Sequence, residues 1–237
     1  MDRIVIRHKD TVAAVVAEKK YFTAAETAIQ DQRRLLEEYI EKDPAFRTAL
    51  HPHPVPDDAP RIVRRMAEAA SRAGVGPMAA VAGATAEAAL RAMAEAGATH
   101  ALVDNGGDIA LLLDRPVIVG IFTGPSSIRE IGFRVEPRPG IFGICTSSGT
   151  VGHSLSFGKA DSATVISADV ALADAVATAL GNALNMETEA RLQAALAEYG
   201  KLPGVEGLLA VIGKLMAVWG DLPPLVRTKV ERKGHES

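Results

Sequence analysis

Between residues 100 and 145 five short apolar runs follow one another, at 100–103, 109–113, 117–122, 131–135 and 141–145, with turn-type residues between them. These read as short strands with turn punctuation. Two further strand pairs bracket the chain. Residues 3–7 and 11–17 flank the polar His8-Lys9-Asp10, and 208–212 and 215–219 flank Gly213-Lys214. Helical patterns fall between these blocks in groups rather than alternating with single strands. That order predicts an α+β fold with a largely antiparallel sheet. Neither G-x-G-x-x-G nor a Walker sequence is present, so a Rossmann or P-loop architecture has no support.

The helices carry their own punctuation. Thr23-Ala-Ala-Glu26 reads as a capping box opening a helix to about Lys42, with Ile29, Leu36 and Ile40 on one stripe. Asp57 or Asp58 caps a helix from about Pro60 to Ala73, stopped by Gly74. Pro77 suits the first position of the next helix, whose opening turns (Ala79, Ala80, Ala82, Gly83, Ala84) are small on most faces. Ser167 or Asp169 starts a helix through about Ala183, and Asn185 opens a last one over 186–199. With 48% apolar residues but only 4% aromatic ones, the core must be built from Ala, Val, Leu and Ile.

Charge and composition exclude several classes. A net charge of −3 gives no general attraction to nucleic acid or to an anionic membrane. Arg227, Lys229, Arg232 and Lys233 form a basic tail that reads as a solvated, frayed terminus. One cysteine excludes an internal disulfide. The N-terminus has no apolar h-region, and the apolar run Met78–Ala96 is broken by Glu87, Arg91 and Glu95. These features predict a soluble, cytoplasmic protein.

Chemistry concentrates in four places. The run from Gly140 to Asp161 begins as a strand and dissolves into glycine and hydroxyl residues (Thr146, Ser147, Ser148, Gly149, Thr150) around a lone His153. A flexible connector is the plain reading, but the strand delivers this run from the core, which makes it a candidate site. Val103-Asp-Asn-Gly-Gly-Asp-Ile109 is a hairpin turn in its plainest reading, although Gly-Gly also exposes amides that suit a phosphate. The start of the helix after Pro77 presents amides that suit an anion, with tight helix–sheet packing as the alternative use of its alanines. Asp174 and Thr178 share one face of an otherwise apolar helix. A buried carboxylate needs a partner, and these hard oxygens suit Mg²⁺; the alternative is an exposed polar stripe. His51-Pro-His-Pro reads as an extended segment rather than a metal site.

Together these segments resemble the ApbE-like flavin transferase (FAD:protein FMN transferase) superfamily, and more closely an uncharacterised branch of it. Asp104-Asn-Gly-Gly-Asp-Ile109 is similar to its Gly-Gly-Asp turn, Thr146-Ser-Ser-Gly149 with His153 to its Thr-Ser-Gly and histidine motif, and Ala173-Asp-Ala-Val-Ala-Thr178 to its helix motif. The resemblance implies a tandem β-β-α-α-β-β (T-fold-like) arrangement in one domain over residues 1–237, its halves meeting at about 100–115. It further implies FAD or another flavin nucleotide and Mg²⁺ as cofactors, with Asp174 and Thr178 as metal ligands and His153 moving a proton. Asp104, Asn105, Gly106, Gly107 and Asp108 would contact the nucleotide, and Thr146, Ser147, Ser148 and Gly149 would line the flavin. In the family FMN passes from FAD to a threonine of a client protein, so a client is an implied partner, while nucleic acid and membrane are not; a homo-oligomer fits equally. The sequence departs from the family where its lysine falls on Ala82 and where Ser154-Leu-Ser-Phe157 replaces an Asp-Pro.

Three functions compete. One is Mg²⁺-dependent phosphoanhydride chemistry on FAD or a similar nucleotide. The second is a flavin or pterin carrier that keeps the pocket without the chemistry, favoured by those departures. The third is acyl transfer by Cys145 or Ser147 with His153 as base, although no G-x-S-x-G elbow is present and Cys145 suits a small buried position.

Overall fold

The structure, a computed structural model of the chain, describes residues 1–149 and 158–229. The alternation at the N-terminus makes a hairpin of β1 (Asp2–His8) and β2 (Thr11–Ala17). Four helices follow: α1 (Phe22–Lys42), α2 (Ala45–Thr48), α3 (Arg61–Ala73) and α4 (Val81–Glu95). A second hairpin, β3 (Ala101–Asn105) and β4 (Asp108–Leu112), closes the first half. After β5 (Val117–Ile121) and β6 (Ile131–Val135), the order of elements repeats. β7 (Phe142–Ser147) and β8 (Ser162–Ser167) lead to α5 (Val170–Ala183) and α6 (Glu189–Tyr199), then to β9 (Gly207–Ile212) and β10 (Leu215–Gly220).

Both halves join one antiparallel sheet in the order β1-β2-β3-β4-β7-β8-β9-β10, with β4 and β7 paired at the seam. This is the tandem strand-strand-helices-strand-strand arrangement of the α+β expectation. A three-stranded sheet, β11-β6-β5, includes β11 (Leu225–Arg227) and shares no strand pairing with the large one.

The period-two alternation of the strands divides the interior into two cores. Facing the helices, the sheet presents small residues such as Ala13, Val15, Val103, Ala110, Cys145, Ala163 and Ala210. Small side chains let the helix layer settle close to the strands, which is where the poverty in aromatics is accommodated. The far face carries the bulky Leu111, Phe142, Ile144, Ile166 and Leu209, packed with Phe133 and Val119 of the small sheet. Among the described residues no helix is long and apolar enough to cross a membrane.

Several helix starts differ from the sequence expectation. A 3-10 turn at Lys19–Tyr21 runs straight into α1, so Tyr21 occupies the cap position without a side-chain bond and Thr23 already lies inside the helix. The capping box is therefore not formed. Pro60, not Asp57 or Asp58, precedes α3. Asp169 does cap α5, accepting from Leu172 N at 3.1 Å. The last helix begins at Glu189 behind Thr188 rather than behind Asn185, because Thr188 Oγ1 takes the Arg191 amide at 3.3 Å. Arg227 is not frayed: it ends a strand whose register is Leu225↔Phe133 to Arg227↔Ile131. His53 bonds to Asp43 Oδ2 at 2.7 Å and stands edge-on to Phe46, a local clasp.

Candidate functional site

The seam between the halves gathers the sequence-predicted residues. At the end of the β3–β4 hairpin, Gly106 (φ 76°) and Gly107 (φ 108°) both occupy the left-handed region, the requirement of the tightest two-residue hairpin turn. Gly107 N donates to Asp104 Oδ1 at 2.9 Å, and Gly107 O accepts from Thr146 N at 3.1 Å. The Gly107 amide expected to meet a phosphate is thus already engaged, and the turn is locked to the end of β7.

The sheet then sorts the motif residues by parity. Asn105 and Asp108 point toward the helices, as does Cys145, which is opposite Asp108 in the β4–β7 register. Asn105 Nδ2 donates to Ala82 O at 3.2 Å, tying β3 to the start of α4. Ser147, two residues beyond Cys145 on the same side, is buried. Asp104 and Thr146 project from the opposite face. There Thr146 Oγ1 lies 2.9 Å from Thr164 Oγ1, which is 3.2 Å from Ser162 Oγ. The Gly-Gly-Asp turn and the threonine-serine run are therefore brought side by side, yet their side chains divide between two faces.

On the helix side the decisive contact is Asp174. The α5 carboxylate reaches the first turn of α4, where its Oδ2 accepts from Gly83 N at 2.8 Å. The approach depends on glycine. A Cβ at Gly83 would stand 2.6 Å from Val170 O and 2.8 Å from Asp174 Cβ. Helix α4 has no capping side chain of its own. Its exposed amides were legible as an anion site, and the acceptor they meet is the carboxyl of Asp174 from the neighbouring helix.

These groups sit in acidic, poorly solvated surroundings. Burial raises Asp174 to a pKa of about 7, against the lowering pull of the Gly83 and Ala82 amides and of Asp108. Asp108 is held well above the usual carboxylate range, by burial first and then by the charges of Asp174 and Asp104. Asp104 is raised by burial. The buried Cys145 thiol is pushed up for the same reason, aggravated by Asp108 and Asp174, and its Sγ lies 3.6 Å from Val170 O. A thiol so buried and so acid-flanked is a poor nucleophile, which removes the support for acyl transfer through Cys145.

Sequence reasoning placed Asp108 with the nucleotide contacts and missed it as the acid partner of Asp174; its pairing opposite Cys145 depends on the β4–β7 register. Thr178 lies one turn along α5 from Asp174 and is half-buried. Ser148 is half-buried, and Gly149 N donates to Ala160 O at 2.9 Å. Lys159 N donates to Leu184 O at 2.7 Å beyond the end of α5. His153 falls outside the described residues.

No ion pair reaches Asp108 or Asp174 among the described residues, nor do three or more His, Cys, Asp or Glu side chains there form a closed metal cage. The two adjoining carboxyl groups, with Thr178 one turn along α5, are hard oxygens. Oxygens of that kind are what Mg²⁺ accepts, since it keeps several waters and leans on substrate phosphates.

A family model described as "AbpE bacteria" matches residues 2–201. The chain belongs to this ApbE-like family. Its relatives include UPF0280 proteins of Methanosarcina barkeri, 47% identical over 94% of this chain and 88% of that protein, and of Methanothrix thermoacetophila, 48% identical over 98% and 97%. Among solved structures, the ApbE protein of Thermotoga maritima is 13% identical with a TM-score of 0.58, covering 96% of each chain. The flavinyl transferase ApbE of Pseudomonas stutzeri, in its apo form, is also 13% identical, with a TM-score of 0.55 and coverage of 92% and 93%. These likenesses show that the ApbE-like fold spans both halves of the chain.

Proposed function

We propose that this ApbE-like protein binds a flavin nucleotide, FAD in the first instance, together with Mg²⁺, and acts on the phosphoanhydride. The observation that carries this reading is the Asp108–Asp174 acid pair, packed against the first turn of α4 with no cationic side chain beside it among the described residues. Asp108, Asp174 and Thr178 would hold the cation, which when bound would neutralise charge on the phosphoryl oxygens. The chain's own residues prepare the place. The Gly83 and Ala82 amides hold Asp174 in position. Asn105 fixes the Ala82 carbonyl, and the Gly106-Gly107 turn is braced by Asp104 and Thr146. His153 is the candidate to take the proton from an attacking client hydroxyl. In the transfer itself the hydroxyl oxygen bonds to the FMN phosphorus, the anhydride bond breaks, and AMP leaves. The solved relative named a flavinyl transferase supports this choice of reaction.

A carrier without turnover is the second reading. It is favoured by the Asp174 oxygen committed to the Gly83 amide. Calorimetry of FAD with Mg²⁺ and with chelator tests the binding, and release of AMP from FAD tests the chemistry. Mg²⁺-dependent FAD binding lost in Asp108→Asn is expected, with turnover slowed about 10²–10⁴-fold in His153→Ala. Failure to bind FAD under either condition removes the flavin reading; tight binding with no AMP release leaves the carrier.

A further inference from the structure

The acid pair lies between the sheet and the helices, but a cavity of about 500 Å³ lies on the other side of α4, in a groove bounded by α1 and α3. That volume is within the range of small-molecule sites. Its floor is made of short side chains from two helices, Ala24 and Ala28 of α1 with Ala84, Ala88 and Ala92 of α4.

The groove wall is built around a buried charge. Glu87 is only 4% exposed, and it holds two guanidinium groups. Its Oε1 accepts from Arg91 Nε at 2.8 Å, and its Oε2 from Arg65 Nη2 at 3.3 Å. Arg65 is fixed a second time by Asp169 Oδ1 at 2.6 Å. An ion cluster of this kind adds little stability over a well-packed apolar one. What it does supply is two guanidiniums of fixed position in the wall of an alanine-floored cleft. A third, Arg61, lines the same cavity with no ion pair among the described residues. The cavity's other acidic residues, Asp31 and Glu95, lie away from Glu87: Asp31 approaches Arg34 at 3.7 Å, and Glu95 lies two turns beyond Glu87, about 12 Å along the helix.

We propose that this groove is a second binding site, separate from the acid pair, for a small organic anion. Its carboxylate or phosphate monoester meets Arg61 and Arg91, and its apolar body lies on the alanine floor. Guanidinium groups recognise both anions through paired N–H donors. Short floor residues leave room for a flat ring, and Glu95 with the Thr23 and Thr27 hydroxyls suits a donor group at the far end.

Benzoate and phenyl phosphate serve as probes, with benzyl alcohol as the uncharged control, each titrated into the full chain while amide chemical shifts are followed by NMR. Saturable shifts confined to Ala24, Ala28, Ala88 and their neighbours are expected with both anions, and much weaker binding with the alcohol. The tighter of the two anions identifies the head group as carboxylate or phosphate. Arg61→Gln should weaken the anions about tenfold or more, the worth of a charge-assisted bond, with an unchanged melting temperature. Ala88→Leu, which fills the floor without touching the ion cluster, should abolish the shifts. Equal binding of benzyl alcohol, shifts scattered over the surface, or full affinity in Ala88→Leu would each overturn the proposal.

Discussion

Asp174 was legible as a carboxylate that an apolar helix would not carry without a partner, but its partners were not legible. The Gly83 amide and Asp108 come from elements 91 residues away and from the other half of the sheet, and no local pattern encodes which helix end will face which. The pKa displacement gives a sign to its effect on stability. Folded Asp174 keeps its proton to about pH 7, whereas an unfolded aspartate releases it near 3.9. Between those values the folded chain binds more protons than the unfolded one, so stability contributed by this residue falls as pH rises. In chelator, wild type should therefore lose melting temperature relative to Asp174→Asn across about pH 4 to 7. The asparagine still accepts from Gly83 but carries no charge. Asp174→Ala should instead lie about 1–3 kcal/mol below Asp174→Asn at every pH, because the α4 amides are left buried without an acceptor. Thermal melts of the three proteins across that range decide it; parallel curves for wild type and Asp174→Asn would show that Asp174 is ionised throughout.

At the scale of elements, the sequence located strands better than helix starts. Strands here announce themselves by alternation and by turn residues, and the Gly106-Gly107 hairpin follows from its glycines alone. Helix caps depend on what precedes them. Thr23 has the right neighbours for a capping box, yet the 3-10 turn before it leaves no chain end to cap, while Asp169 follows the turn closed by Ser167 and does cap. The small residues after Pro77 were readable as a close-approach surface, and the structure gives their use: α4 meets α5 at Gly83. Gly83→Ala tests that approach. The added methyl has no room beside Val170 O and Asp174 Cβ, so the helices must part, at about 1–3 kcal/mol for overpacking. Because the same shift withdraws the amide from Asp174, Mg²⁺-dependent FAD affinity should fall together with stability. Ala86→Gly on the same helix costs about 1 kcal/mol in propensity and leaves the α4–α5 crossing alone. Equal FAD affinity in both variants would separate the crossing from the site.

For the whole molecule, the two cores are not separable units. Strands β4, β7, β8 and β9 each lend alternate residues to opposite faces: Ala110 and Leu111, Cys145 and Ile144, Val165 and Ile166, Leu208 and Leu209. The alternation was visible in the sequence, but the small sheet was not assembled from it, since β11 is three residues long and pairs with β6 across some ninety residues of chain. One shared sheet has a thermodynamic consequence. Loss of packing on the far face removes support from the strands that carry the helix face, so the chain should melt in a single transition. Phe133, fully buried between the sheets, is the place to test this, since it touches neither the acid pair nor the helices. Phe133→Ala should cost about 3–5 kcal/mol, which at this chain length lowers the melting temperature by roughly 10 °C. Trp219, the one tryptophan, packs against Gly200 on the helix side, so its fluorescence reports that core alone while far-UV circular dichroism reports both. The two signals should move down together in the variant and stay coincident. A circular-dichroism change that precedes the Trp219 signal would mean that the small sheet melts by itself and that the large sheet does not couple the two faces.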